Sequence, residues 1–275
     1  MRRLARAVAV AALLFAALLW RALWLEPRRD RVRERTLRLP EWPEHLDGLR
    51  VALVSDLHTG APHVDEARLE RVVRAVDAQR PDLVALLGDF IDPNVRGGST
   101  VEPEVVADRL SRLRAPLGVF AVLGNHDWHN AGAAMAAALR AAGIAVLENE
   151  AVAAGPLYLA GMADVRTREP DVAGTLAGVP GGAPVIVLSH DPDLFPQIPA
   201  RVALTLSGHT HGGQVAVPLL RRRAIPSRFG ERFARGHIEE DGRHLYVTSG
   251  IGTSGWPVRL LAPAEVVILS LRPST

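Results

Sequence analysis

From Leu49 onward, short apolar runs alternate with stretches whose apolar residues recur at helical spacing. Leu49–Val54 (LRVALV) reads as a buried strand. Val64–Gln79 puts Leu69, Val72, Val73 and Val76 on one helical face, and Asp82–Leu87 (DLVALL) is a strand again. The pattern then predicts a helix over Glu104–Leu113, a strand over Leu117–Leu123 and a helix over Ala133–Ala142 that Gly143 ends. Further strands are expected at Ile144–Leu147, Leu157–Ala160, Val185–Leu188, Val202–Leu206, Gln214–Val217, Leu245–Thr248 and Val266–Leu271. Strand, helix, strand opens a layered α/β domain, and the strand-rich second half suggests a sheet sandwich with helices outside. No internal repeat is visible, and the glycine-rich loops at 96–99 and 178–182 are punctuation within one domain.

The first 48 residues follow a different pattern. Ala7–Trp20 carries no charge, and the apolar run continues past Arg21 to Leu25, giving a 19-residue segment, 7–25, close to the roughly 20 residues that span a bilayer. Arg21 near its end reaches headgroups on a long stem, and Trp20 and Trp24 suit the interface. Arg2, Arg3 and Arg6 before the segment would also suit a cleaved leader, but no A-x-A-like site follows it. The expected division is a basic segment 1–6, a transmembrane anchor 7–25, an Arg-rich juxtamembrane linker 26–48 and one globular domain 49–275. Six arginines (Arg28, Arg29, Arg31, Arg33, Arg35, Arg38) follow the segment and three precede it, which leans the domain to the cytoplasmic side of the cell membrane.

Composition removes several chemistries. The 275 residues contain no cysteine and no lysine, so thiolate metal sites, disulfides, a cysteine nucleophile, a Schiff-base lysine and a P-loop lysine are excluded. Charge is uneven: residues 1–50 hold 11 arginines against 6 carboxylates, whereas residues 51–275 hold 21 against 24. The basic balance therefore belongs to the tail. A slightly acidic globular part does not advertise the positive face that nucleic acid requires, so no nucleic-acid partner is expected; no protein partner can be inferred.

Five predicted strands end in metal-ligating residue types. These are Ser55-Asp56-Leu57-His58, Gly88-Asp89, Gly124-Asn125-His126-Asp127, Ser189-His190 and Gly208-His209-Thr210-His211. Each alone reads as a polar turn, since Gly, Asn and Asp dominate turns. Together, at the carboxyl ends of successive strands, they deliver chain-distant groups to one place. Asp, Asn and His without Cys suit borderline divalent ions, Mn²⁺, Fe²⁺, Zn²⁺, Co²⁺ or Ni²⁺. On extended backbone, the outer residues of Asp56-x-His58 and His209-x-His211 would point the same way.

This ordered set resembles the calcineurin-like metallophosphoesterase family over about residues 49–271. The continuation GHTHGGQ and the stretch Ser249–Arg259 are similar to its membrane-anchored YkuE/YaeI-like branch. The resemblance implies a four-layer αββα sandwich and two divalent metal ions, with Mn²⁺ expected first. One would be held by Asp56, His58, Asp89 and His211, the other by Asp89, Asn125, His190 and His209. It also implies a hydrolase whose attacking hydroxide is supplied by the metals. His126 would stabilise charge or protonate the leaving oxygen, with Asp127 orienting its ring. Position 92 is Asp where purple acid phosphatases carry a metal-ligating Tyr, so a tyrosinate-bound ferric ion is not expected.

His45, His63, His129, His237 and His244 lie outside these motifs and read as loop or surface residues; only His129, three residues from His126, is kept as a substrate contact. Arg221-Arg222-Arg223 is either a solvated loop or a phosphate or membrane-surface contact. No insertion between Asp127 and His190 is large enough for a cap, so the site should be open to bulky groups. With the anchor, this favours a phosphodiester or pyrophosphate on a lipid-linked or membrane-associated substrate. By resemblance UDP-2,3-diacylglucosamine, in lipid A synthesis, is the concrete candidate. A nuclease or phosphomonoesterase using the same metals, and a non-catalytic scaffold of the same fold, are the alternatives.

Overall fold

The computed structural model describes residues 1–217 and 225–274. Helix α1, Arg2–Trp20, exposes every side chain and runs through a five-residue π-turn, Arg21–Leu25, into a last turn, Glu26–Arg28. This 27-residue helix is long and apolar enough to cross a membrane. Its foot is fastened to the domain. The buried Glu26 accepts from Arg21 Nε at 2.8 Å and from the Leu261 N–H at 2.7 Å, and the Arg259 N–H donates to Ala22 O at 3.0 Å.

Residues 31–39 are not the linker that the arginine-rich sequence suggested. They form strand β1, Arg31–Leu39, paired in parallel with β12, Glu265–Pro273, along all nine residues. The alternation was present but disguised, because the inward face (Arg33, Arg35, Leu37, Leu39) begins with arginines. Arg33 enters on an ion pair of 2.6 Å with the buried Glu265, while Leu37, Leu39, Trp42 and Leu46 join the core. Charged side chains on such an edge also discourage pairing with another chain.

The remaining elements are β2 Leu49–Val54, α2 Glu66–Asp77, β3 Leu83–Leu86, α3 Pro103–Leu110, β4 Val119–Ala121, α4 Asn125–Asn130, α5 Gly132–Ala141, β5 Ala145–Val146, β6 Glu150–Ala154, β7 Leu157–Gly161, α6 Val172–Ala177, β8 Val185–Leu188, β9 Leu204–Ser207, β10 Gly236–Glu240 and β11 Arg243–Val247, of which α4, β6, α6 and β10 were not expected. One sheet runs β1-β12-β2-β3-β4-β5 and the other β10-β11-β9-β8-β7-β6. Their inner faces meet through residues such as Val51, Leu53, Leu83, Leu159, Ile186 and Leu204. The outer face of the first sheet (Ala52, Val54, Val84) packs on Leu69 and Val73 of α2, Val106 of α3 and Leu139 of α5. The second sheet's outer face (Ala160, Val185, Val187) packs on Leu176 of α6 and Leu194. These are the four layers, helices outside two sheets.

Strands β2, β3, β8 and β9 are buried at every residue but Arg50, which is why their apolar runs were unmistakable. The half-exposed strands β6 (EAVAA) and β10 (GHIEE) have no comparable signal. The strand expected over Gln214–Val217 does not form. Gly212, Gly213 and Gln214 all take positive φ, and Val215 makes only isolated bridges to Leu260 and Leu261.

Candidate metal centre

The carboxyl ends of β2, β3, β4, β8 and β9 converge, and the backbone there is not extended as the Asp-x-His spacing suggested. Asp56, His58, Asp89, His209 and His211 take φ of 52°, 46°, 56°, 67° and 49°, a conformation that costs a non-glycine residue about 1–3 kcal/mol. Hydrogen bonds between the loops hold them there: Asp56 N–H to Gly88 O, His58 N–H to Asp89 O, both 2.9 Å, and His209 N–H to the Asp56 carboxylate at 3.1 Å. Strain shared by three loops, those after β2, β3 and β9, where they lock onto one another is the mark of a built site.

Gly88 allows this approach. Its φ is +89°, and a Cβ would stand 2.5 Å from the Gly124 nitrogen and 2.9 Å from His190 Nδ1. Gly88→Ala is therefore expected to destabilise the fold by about 2–4 kcal/mol, as backbone strain plus overpacking, read as a fall in urea midpoint. A midpoint unchanged within error would show that the loops can separate at little cost.

Two side-chain clusters lie side by side. Asp56, His58 and His211 form one, and Asp89, His190 and His209 the other. His58 Nε2 faces His211 Nε2 at 3.1 Å, and His209 Nδ1 faces His190 Nε2 at 3.2 Å. Asp89 Oδ2 lies 3.1 Å from His190 Nε2 and 3.6 Å from His58 Nε2, so its carboxylate touches both clusters. On their far sides the rings of His190 and His209 are held by carbonyls. His190 Nδ1 donates to Leu87 O at 2.6 Å and His209 Nε2 to Pro226 O at 3.1 Å, which turns the remaining nitrogen of each ring into the cluster; against burial, Asp89 and Asp56 hold His190 well above its ordinary pKa, so a cation there would displace its proton. Burial, then His190 and Arg166, hold His209 well below its ordinary pKa; burial, then His58 and Arg259, do the same to His211. Both rings are thus kept neutral, the ligating form. Asn125 Oδ1 is buried without a hydrogen-bond partner. Facing lone pairs, buried carboxylates and an orphaned amide oxygen fit a pair of divalent cations.

His126 stands at the edge, a quarter exposed, with Nδ1 3.0 Å from Asp92 Oδ2. Here the expected orienting partner is corrected. Asp127 does not face His126: its carboxylate accepts four backbone N–H groups, from Asp89 (2.8 Å), Phe90 (2.7 Å), Ile91 (3.3 Å) and Gly124 (3.0 Å), pinning the β3 and β4 loops together. Asp92 also lies 3.5 Å from His58 Nδ1, so it steers two rings. The spacing Asp89-x-x-Asp92 was the available signal.

The sequence reading also missed Gln214 and Arg259. Gln214 Oε1 accepts the Ser254 N–H at 2.8 Å and its Nε2 donates to Ser254 O and Trp256 O, closing a loop over the centre. Arg259 is fully buried on the carbonyls of Ser249, Gly252 and Ala262, and its Nη2 lies 3.2 Å from His211 Nδ1. His129 is exposed at the end of α4 and belongs to neither cluster. His244 is buried, stacked on His237, rather than at the surface. Arg221, Arg222 and Arg223 lie outside the described residues.

Residues 49–213 match the family model described as calcineurin-like phosphoesterase. The chain belongs to that family. It is 34% identical over 255 residues to a metallophosphoesterase of Aquifex aeolicus, covering 88% of this chain and 92% of that one. It is 30% identical to the metallophosphoesterase YkuE of Bacillus subtilis, covering 91% and 88% of the two chains. UDP-2,3-diacylglucosamine pyrophosphatase LpxG of Chlamydia trachomatis is 28% identical, with 89% of this chain and 90% of that one covered. With its buried His and Asp clusters intact, the protein is a metal-dependent phosphoesterase.

Proposed function

We propose that this phosphoesterase cleaves a phosphodiester or pyrophosphate that joins a polar group to a lipid, at a membrane to which α1 anchors it. The observation that carries the reading is a pair of unlike cavities flanking the clusters. One, of about 450 Å³, is polar, lined by Arg166, Asp191, Asp193, Ser227 and Arg228 and reaching Pro226, the partner of His209. The other, of about 350 Å³, contains His211 and is walled by Val215, Trp256 and Val258. A bond with substituents on both sides has a place for each, whereas a phosphomonoester would need only one. Among the described residues, the segment between Asp127 and His190 is used up by the layers and forms no cap over the cavities. The likeness to LpxG makes UDP-2,3-diacylglucosamine the first substrate to try, its nucleotide in the polar cavity and its acylated sugar in the apolar one.

Asp56, His58, Asp89 and His211 would hold one ion, and Asp89, Asn125, His190 and His209 the other, with Mn²⁺ the first choice. When bound, two such ions polarise phosphoryl oxygens and make hydroxide available near neutral pH. The chain does the rest. His126 carries a proton on Nε2 toward the leaving oxygen, Asp92 holds its ring, and Ser254 Oγ, 3.4 Å from that nitrogen, borders the place where this oxygen would sit.

The test uses the full chain in detergent. Mn²⁺-dependent hydrolysis of bis-p-nitrophenyl phosphate is expected, lost on chelation, followed by release of lipid monophosphate from UDP-2,3-diacylglucosamine. Metal at about 100 times its dissociation constant should stabilise the fold by about 2.7 kcal/mol, a rise in melting temperature of about 5–10 °C. Diester hydrolysis without lipid monophosphate removes this substrate; no rise and no hydrolysis removes the enzyme reading.

A further inference from the structure

Among the described residues, the large apolar side chains left exposed outside residues 1–28 are Val32, Trp256 and Leu261. Two of the three sit in one segment, 253–261. That segment is tied on one side to the foot of the N-terminal helix, through Arg259 N–H to Ala22 O and Leu261 N–H to Glu26 Oε2. On the other side it is tied to the metal centre through the Gln214 clamp on Ser254 and Trp256 and through Arg259 beside His211. Trp256 is 61% exposed and walls the apolar cavity that reaches His211. Leu261 is 48% exposed at φ +60°, a conformation that leucine adopts at a cost of about 1–2 kcal/mol. A fold that fastens both ends of a segment, strains its backbone and still presents Trp and Leu outward is not burying them for its own core.

The chemistry around them suits a bilayer surface better than a protein. Trp20 and Trp24, at the foot of the helix, are the other strongly exposed tryptophans, and it is to this foot, at Ala22 and Glu26, that the segment of Trp256 is hydrogen-bonded. Two of these three tryptophans carry a guanidinium, Arg28 over Trp24 and Arg96 over Trp256 at 4.7 Å. Indole rings beside arginines are what the headgroup layer takes, the ring at the acyl boundary and the charge on phosphates.

We propose that residues 253–261 form a lip seated in the headgroup layer, with Trp256 and Leu261 in the interface beside the helix foot. A lipid-linked phosphoester then enters the apolar cavity behind Trp256 without leaving the bilayer. This rests on α1 being the anchor. It deepens the lipid-substrate reading, since the hydrogen-bonded foot fixes the height of the metal centre above the membrane.

The chain has no cysteine, so single cysteines can be labelled cleanly. We would place an environment-sensitive fluorophore in the full chain by Trp256→Cys, Leu261→Cys, Leu13→Cys within α1, and Gly181→Cys. Gly181 is exposed, has open space around it and lies before β8, at the strand end opposite the metal centre. The proteins are reconstituted in phosphatidylcholine–phosphatidylglycerol vesicles with and without nitroxide-bearing lipid. Fluorescence at 256 and 261 is expected to fall to roughly half, with the shallow nitroxide more effective than the deep one, and that at 181 to stay unchanged. Quenching at 13 but not at 256 or 261 overturns the lip and leaves the anchor. No quenching at 13 overturns both. The Leu13→Cys and Gly181→Cys preparations, whose substitutions lie away from the metal centre, are also assayed on bis-p-nitrophenyl phosphate, so their inactivity beside quenching at 256 and 261 sinks the enzyme reading alone.

Discussion

Asp89→Asn is expected to lower Mn²⁺-dependent hydrolysis of bis-p-nitrophenyl phosphate by about three orders of magnitude, with the fold intact. Asp89 Oδ1 accepts the His126 N–H at 2.9 Å, and an asparagine oxygen can keep that bond. What Asn cannot keep is the charge at Oδ2, the atom between His58 and His190. Burial opposes that charge, but His190, His58 and His126 outweigh it and hold the carboxyl well below the usual range, so it is ionised throughout the neutral range. Removing it takes one ligand from both clusters at once and leaves facing imidazole lone pairs with less to bind a cation. Loss of several kcal/mol of transition-state stabilisation corresponds to about 10³-fold, each 1.4 kcal/mol being tenfold. Elemental analysis of the purified variant should find less than two ions per chain, and circular dichroism should match the parent. A variant within about tenfold of the parent and fully metal-loaded would show that Asp89 does not join the two clusters.

What was legible in the sequence follows from burial. The strands that carry the site are covered on both faces, so they are continuous apolar runs, and the polar residues at their ends stood out against them. Asp56, His58, Asp89, His190, His209 and His211 could therefore be found by position and residue type, and the structure brings these six into two adjoining clusters with His126 at the edge; of Asn125 it shows a buried, unpartnered side-chain oxygen. Side-chain direction was not legible. Asp127 is next to His126 in sequence and its carboxylate points to the amides behind the site, while Asp92, a loop away, faces the ring. Backbone handedness was hidden as well, because left-handed φ at Asp and His has no composition signal; it follows from loops locking onto each other. Strand β1 was masked by its arginines, and the ion partner that lets Arg33 face inward, Glu265, is more than 200 residues distant. Gln214, Trp256 and Arg259 gain meaning only when the chain's last quarter is laid over the first helix.

Asp92→Asn separates the two carboxylates. Asp92 bonds the His126 ring, and that bond, with the charges of Asp89 and Asp92, outweighs burial and raises the imidazole above its ordinary pKa. A step that needs the Nε2 proton is available below that pKa and fades as pH rises through it. Asn still accepts from Nδ1–H but brings no charge, so the folded pKa falls. The alkaline limb of the kcat profile should then move to lower pH. Loss of a partner that orients a ring next to the metals should cost about 10–100-fold in kcat, with KM for bis-p-nitrophenyl phosphate nearly unchanged. Asp127→Asn should behave otherwise. Oδ1 serves the Phe90 and Ile91 N–H groups and Oδ2 those of Asp89 and Gly124, so an amide nitrogen in place of either oxygen leaves two buried donors unpaired, at about 1–3 kcal/mol each, and should lower the melting temperature sharply. The surviving folded fraction should keep the parent's alkaline limb, because no Asp127 atom is bonded to the His126 ring. A limb that moves in Asp127→Asn and stays in Asp92→Asn would reverse the two assignments and return the orienting role to the neighbour in sequence.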